Sequence, residues 1–442
     1  MQTIAASEKH CYIRTLVQPS ILPVNQLLHE KCNSPDFLTN NIWKVAFSPC
    51  SQYLAIPKQD IDGQHCVLVV YCSDWHAKNV TESTMRIHNQ FNCTAAIWSL
   101  AFGQRTSKSN LPIDLRLFDT STLSTSIARR GSLDRRSSLS VVNRRYDFSK
   151  NLFLAAGLAS GKIEIWNIDT GELILVLKDH QLTVCGLDFT SCTMQLASCS
   201  YDTTIKLWDL FDDGNMYKTL NEWTHAINTV KWSPDETILC AVGPYELVVL
   251  FNTTTWKELF RLDGHLHTVV DCAFSSDSAF LVTASYDTRV LMWSTTTGEI
   301  LKGFAHKIPK PLKIYAGGDN GAFVRSVAIT KSNQFLITAC DDNKVRWFPL
   351  LSDQSSNMIY EQTEPNVLHV ATTPNGNTMA VSNRNGEVHL FSTLSTISTN
   401  QPLSLKCFCR SAINTYSGVK RKDLLNLPIM RPLINYVLYK DI

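Results

Sequence analysis

An all-β ring made from one repeated four-stranded unit is predicted by three observations. Apolar segments ending in an aromatic recur at a regular step, each has a strand signal at a similar distance upstream, and one three-residue spacing occurs twice without change. The recurring segments are Lys162-Ile-Glu-Ile-Trp166, Thr204-Ile-Lys-Leu-Trp208, Arg289-Val-Leu-Met-Trp293 and Lys344-Val-Arg-Trp347, with Leu247-Val-Val-Leu-Phe251 and Glu387-Val-His-Leu-Phe391 as versions ending in phenylalanine. The aromatics are separated by 42, 43, 42, 54 and 44 residues. A step of about 40–45 residues suits four strands per blade of a β-propeller.

Upstream of each aromatic lies an alternating strand that ends in turn formers: Val45–Pro49, Val184–Phe189, Val230–Asp235, Val269–Ser275, Val324–Ala328 and Val367–Thr372. A second strand follows at Leu196–Ser200, Leu281–Ser285 and Leu336–Cys340. The strand sets number seven: 41–71, 96–166, 183–208, 228–251, 268–293, 324–347 and 367–391. An open ring would leave strand edges unpaired, so closure is required. Cys11–Val17 is expected to add an outer strand to the last blade and latch the ring. Seven blades are expected; an eighth drawn from residues 1–40 stays open.

The repeated spacing is His180, Asp202 and Trp208, 22 and 6 residues apart, repeated by His265, Asp287 and Trp293. These residues resemble the WD40 repeat. His225 is a weaker member, and Trp208-Asp209 is a true Trp-Asp pair. The resemblance implies that His, Asp, a Ser of the second strand and Trp form a buried hydrogen-bond chain that fixes the Asp turn. A catalytic His-Ser-Asp set is the competing interpretation. Recurrence blade by blade marks the set as architecture.

The composition narrows the function. The 442 residues carry a net charge of +2, and 44% are hydrophobic, with ten Trp and nineteen Phe. Bulk charge gives no basic face for nucleic acid. No run of about 18 apolar residues suggests a membrane span, and Met1–Pro19 lacks the apolar core of a secretion signal. The fourteen Cys are scattered, without a Cys-x-x-Cys pair, so neither a disulfide scaffold nor a metal site is expected. A reducing compartment, cytoplasm or nucleus, and no cofactor follow as expectations. No convergent carboxylate pair or activated nucleophile points to an enzyme.

Residues 104–150 interrupt the second blade with ten Lys/Arg against four Asp, and read as a basic surface loop. Within it Arg129-Arg-Gly-Ser132 and Arg135-Arg-Ser-Ser138 resemble sites of basophilic kinases. Phosphorylation of Ser132 and Ser138 would reverse part of the local charge.

After Phe391 the pattern changes. Residues 1–391 form the propeller, 392–402 read as a Ser/Thr linker, and 403–442 as a small helical unit. Leu405, Cys409 and Ile413 stand at i, i+4 and i+8, one stripe of a helix that Ser404 can cap, with Phe408 and Ala412 widening it. Leu427-Pro428-Ile429-Met430 follows, and Pro432–Lys440 reads as a last helix. The segment resembles a SOCS box. Ser404, Leu405, Cys409 and Ile413 match that family's first motif. Leu427, Pro428 and Ile429 match its second, in which Met430 replaces a proline. Propeller plus box resembles the WD repeat and SOCS box-containing proteins over nearly the whole chain.

That resemblance implies a non-catalytic adaptor of a ubiquitin ligase. Leu405, Cys409 and Ile413 would bind Elongin B and C, and Leu427, Pro428 and Ile429 would select a cullin, cullin five, with its RING subunit. The propeller would hold an unknown protein substrate. Tyr201, Tyr245 and Tyr286, beside the Asp turns, are the expected substrate contacts at the rim. A WD40 interaction scaffold without ubiquitin function is the alternative.

Overall fold

The computed structural model describes residues 44–59, 63–72, 87–104, 151–191, 194–221, 223–244, 247–305, 323–350, 360–363, 367–374, 376, 378–384, 386 and 388–392. Apart from a 3-10 turn at Leu210–Asp212, the regular elements among them are strands, grouped in seven antiparallel sheets. Blade one holds Ala46–Phe47, Tyr53–Gln59, His65–Tyr71 and Ile87–Asn92; blade two holds Ile97–Gly103, Phe153–Leu158, Ile163–Asn167 and Leu173–Leu177. Blade three holds Val184–Phe189, Gln195–Ser200, Ile205–Asp209 and Asn215–Leu220; blade four holds Thr229–Trp232, Ile238–Val242, Val248–Asn252 and Glu258–Leu262. Blade five holds Val269–Phe274, Phe280–Ser285, Arg289–Ser294 and Ile300–Ala305; blade six holds Val324–Ile329, Phe335–Cys340, Lys344–Pro349 and Tyr360–Thr363. Blade seven shows Val367–Thr372, Thr378–Asn383 and Val388–Ser392. Within each sheet the strands pair in sequence order.

The fold is therefore the seven-bladed propeller expected from the sequence. The proposed latch strand, Cys11–Val17, the 104–150 insertion beyond Gln104, and the linker and box at 393–442 lie outside the described residues. Neighbouring blades meet through their first strands, and the first strand of blade seven lies against that of blade one. The closing seam is apolar: Val45, Leu54 and Ile56 of blade one pack on Ala380, Val388 and Leu390 of blade seven.

Burial explains which strands the sequence announced. A middle strand is covered on both faces by adjacent blades, so Phe153–Leu158 and Phe280–Ser285 are buried throughout. The outermost strands Asn215–Leu220 and Glu258–Leu262 are largely exposed, carry polar side chains, and gave no pattern to read.

The first strands share a second device. Register slips leave one extra residue at the entry of five of them: Trp98, Cys185, Val270, Arg325 and Leu368. Such a bulge re-aims the residues that follow it. Those residues form a polar belt from blade to blade. Ser99 Oγ donates to Val184 O (2.9 Å), Asp188 accepts from Trp232 N (2.7 Å), and Thr229 Oγ1 donates to Val270 O (3.0 Å). Asp271 accepts from Ser326 Oγ (2.7 Å) and Val327 N (3.1 Å), Val370 N donates to Ser326 Oγ (3.3 Å), and Val45 N to His369 Nδ1 (3.5 Å). Lys44 Nζ reaches Thr229 Oγ1 at 3.0 Å, joining blade one to blade four across the ring.

One register assignment needs correction. Leu336 faces Phe348, as Leu196 faces Trp208 and Leu281 faces Trp293. Phe348, not Trp347, therefore holds the repeat aromatic's place in blade six. Trp347 turns to the other face and packs against Val367 and Met379 of blade seven.

Candidate functional site

The His-Asp-Trp sets of blades three and five close into hydrogen-bond chains. In blade three, Trp208 Nε1 donates to Ser198 Oγ (2.8 Å) and His180 Nε2 lies 2.8 Å from that oxygen. His180 Nδ1 is 2.8 Å from Asp202 Oδ2. Asp202 also accepts from Gln181 N (2.9 Å) and Thr204 Oγ1 (2.6 Å). Blade five repeats this with Trp293, Thr283, His265 and Asp287 at 2.8, 2.7 and 2.9 Å. The expected second-strand serine is thus a threonine here. Ser285 instead receives Asp287 N and donates to His267 O. The hydroxyl supplies one donor and one acceptor, and a second methyl fits the apolar slot. Each chain also fixes a left-handed turn residue, Thr203 (φ 69°) and Thr288 (φ 67°).

The chains hold turns and present no reacting atom. Ser198 and Thr283 are fully buried and saturated by His and Trp. Burial opposes ionisation of Asp202, but the bonds from His180, Thr204 and Gln181 N outweigh it and hold the carboxyl well below the usual range. Burial opposes ionisation of Asp287 likewise, and His265, Leu266 N and Arg289 lower it. Both carboxyls thus bind fewer protons folded than unfolded. Their stabilisation is present above the unfolded carboxyl value of about 4 and is lost as pH falls below it toward the depressed folded values. The urea midpoint is expected to be level from pH 7 to 5 and to fall below about pH 4, with a shallower fall in Asp287→Asn.

Blades two and four depart from the pattern in different ways. In blade two the register puts Ala156 in the place of Ser198, leaving the buried Trp166 Nε1 without a partner. Ala156→Ser supplies the missing acceptor and is expected to stabilise by about 1 kcal/mol, read as a raised urea midpoint. A midpoint at or below the parent's would count against this assignment. In blade four His225 has the sequence spacing of a network histidine, yet it is exposed and bonds only its neighbour Thr224 (2.7 Å) among the printed side-chain contacts of this loop. Trp223 is buried there and packs on Phe251, so apolar contact replaces the hydrogen-bond chain. His225 is therefore no network member. The signal was its partner set: no Asp or Trp stands at the matching places.

Gly161 joins two of these turns. Its φ is +80°, and a Cβ would lie 2.3 Å from His180 O, so only glycine fits there.

The first-strand entries and the Asp turns lie at one end of the ring, tied by Tyr201 N to Thr183 O, Tyr286 N to Thr268 O and Asp341 N to Phe323 O. This mouth carries two aromatic groups. Tyr201, 39% exposed, meets Trp98 edge-on at 5.9 Å. Tyr286 stacks near Phe323 (4.5 Å), and Arg325 lies over both rings at 5.0 and 5.8 Å. Arg325 also grips Asp341 with two bonds (2.6 and 2.8 Å) and donates to the Tyr286 hydroxyl (2.7 Å). Burial raises both phenols, so they stay protonated at neutral pH. The third expected tyrosine does not share this geometry. Gly243 takes the place of Ser200 in the turn, so Pro244 stands where Tyr201 and Tyr286 stand. Tyr245 itself lies outside the described residues.

Among the described residues no group of three or more His, Cys, Asp or Glu could hold a metal, and no helix is long and apolar enough to cross a membrane. The nine described cysteines are free, and burial pushes the thiols of Cys72, Cys185 and Cys340 up to about 12.

The family model for the WD domain, G-beta repeat, matches residues 171–209, 256–294 and 309–348. Its matches run to the third strands of blades three, five and six. A protein of Xenopus tropicalis named WD repeat and SOCS box-containing protein 1 is 34% identical over 403 residues, 90% of this chain and 91% of the relative. Its human namesake is 32% identical over 404 residues, with the same shares. This chain belongs to the WD repeat and SOCS box-containing family. A WD repeat-containing protein WDS homolog of Arabidopsis thaliana is 29% identical over 181 residues, 40% of the chain, a shorter likeness. The SOCS-box positions of this family member, Leu405, Cys409, Ile413, Leu427, Pro428 and Ile429, and the loop serines Ser132 and Ser138, lie outside the described residues.

Proposed function

We propose that this WD repeat and SOCS box-containing protein is the substrate receptor of an Elongin B/C–cullin–RING ubiquitin ligase. The propeller holds the target, and the segment 403–442 recruits the ligase. One observation carries this reading: the ring closes blade seven on blade one within residues 44–392, and the relatives that match 90% of the chain are named for a second module besides the repeats. The box motif Ser404-Leu405…Cys409…Ile413 stands after that closed ring.

The work of such a subunit is tethering. Holding a substrate lysine beside a charged ubiquitin-conjugating enzyme turns a bimolecular encounter into a local one. The chain itself needs no nucleophile. Cys409 serves as an apolar knob of the motif, and the mouth with Tyr201 and Tyr286 takes the substrate.

Affinity purification of the intact chain and of a 403–442 deletion tests this. Elongin B, Elongin C and the cullin are expected with the intact chain and absent from the deletion, while substrate proteins remain in both. Cullin retained by the deletion would sink the proposal and leave a scaffold.

A further inference from the structure

The charges at the mouth are unequally paired. Asp341 is held by Arg325, Asp342 by Arg346, Asp179 by Lys206, and Asp202 and Asp287 face His180 and His265. Arg289 adds a second cation at Asp287 (3.2 Å). Asp263 is exposed on the outer rim, in the place Lys178 holds in blade three, so those two offset each other.

Two cations nearer the ring axis have no carboxylate. Arg384 follows the second strand of blade seven, the place of Tyr201 and Tyr286, and is exposed. It lies close enough to Tyr286 for its charge to favour that phenolate. Lys44 has the Thr229 hydroxyl as its hydrogen-bond partner and lies across the ring below the mouth. Arg325, fixed by Asp341 and Tyr286, still has N–H groups to spare, since those contacts use three of its five.

Beside these cations stands exposed apolar surface. Leu182 is 52% exposed in the loop entering blade three, next to the Tyr201–Trp98 pair. A large aliphatic side chain left in water at a mouth that also carries unpaired positive charge is complementary to a segment that is apolar and acidic together.

We propose that the mouth docks an acidic peptide segment of the substrate, its carboxylate at Arg384 and Lys44 and a neighbouring aromatic or aliphatic side chain against Leu182, Tyr201 and Trp98. This deepens the substrate-receptor reading and rests on it for the identity of the ligand as substrate. Arg325 is a positioning residue here. Its guanidinium is held flat against Tyr286 and Phe323, so the aromatic wall keeps its shape when the segment arrives.

The test uses the full chain purified with Elongin B and C, and fluorescein-labelled random copolymers as probes. A Glu/Tyr copolymer is expected to bind more tightly than poly-Glu, and a Lys/Tyr copolymer not measurably. Arg384→Glu is expected to weaken Glu/Tyr binding by roughly fivefold or more, and Leu182→Ser to remove the advantage over poly-Glu. Lys257→Glu, at the opposite end of blade four, is expected to leave binding unchanged. Equal binding by the parent and Arg384→Glu, binding of Lys/Tyr as tight as Glu/Tyr, or an equal loss in Lys257→Glu would each overturn the acidic-peptide inference. Elongin capture is read in the same preparations. It depends on 403–442, so its loss would refute the ligase reading while copolymer binding still decides the mouth.

Discussion

Asp287→Ala is expected to destabilise the propeller by about 3 kcal/mol or more, the range found when one member of a buried ion pair is removed. Asp287 is 2% exposed. Its Oδ2 receives His265 Nδ1, Leu266 N and Arg289 Nη2, and its Oδ1 receives Arg289 N. Truncation strands these donors around a cavity, and it frees a turn that holds Thr288 at φ 67°. Each stranded buried donor costs about 1–3 kcal/mol. The corresponding Asp202→Ala change should cost less, since Asp202 keeps 8% side-chain exposure against 1% for Asp287 and water can reach its orphaned partners. Urea denaturation of both variants, with Lys257→Ala as an exposed control, makes the comparison. An Asp287→Ala midpoint equal to the control's would show that the chain does not hold the turn. A loss of this size is a large share of the stability of an ordinary domain, about 5–15 kcal/mol.

How far the sequence revealed the ring follows from where its blades are buried. Middle strands are covered on both faces, so apolar pressure there was strong and the aromatic step was visible through blades two to seven. Blade six shows the limit. Trp347 and Phe348 are adjacent, both large and both buried, and point to opposite faces. Composition cannot say which one faces the slot, and only the pairing of Leu336 with Phe348 decides it. The outermost strands were invisible because water covers one side and any polar residue is tolerated.

The same reasoning separates the network histidines. His180 and His265 were legible because each has an Asp 22 residues on and a Trp six beyond. His225 has neither, and without an acceptor a buried imidazole would leave polar atoms unpaired. Trp223 takes the slot, a choice open to the sequence but unmarked in it. Thr283 was missed for a smaller reason: Ser285 lies two residues away on the same strand face, and only the bond to His265 Nε2 tells the two hydroxyls apart. The polar belt could not be read at all. Its partners sit 44 to 324 residues apart, and each bond joins a side chain to the backbone of another blade.

Leu405→Ala is expected to weaken association with purified Elongin B/C by about ten- to a hundredfold. The reasoning is areal. Leu405, Cys409 and Ile413 recur every four residues, the spacing that brings side chains to one face of a helix. A helix this short is marginal alone and gains its stability from the surface it meets. Burying an aliphatic side chain of this size is worth roughly 1.5–3 kcal/mol, and about 1.4 kcal/mol is a factor of ten in affinity. Lys406→Ala, off that stripe, is expected to change affinity by less than about twofold, because a rim charge contributes little. Isothermal titration of the three proteins against Elongin B/C measures the ratio. If Lys406→Ala proved as costly as Leu405→Ala, the stripe would not be the contact, since loss confined to one helical face is what burial against a partner requires.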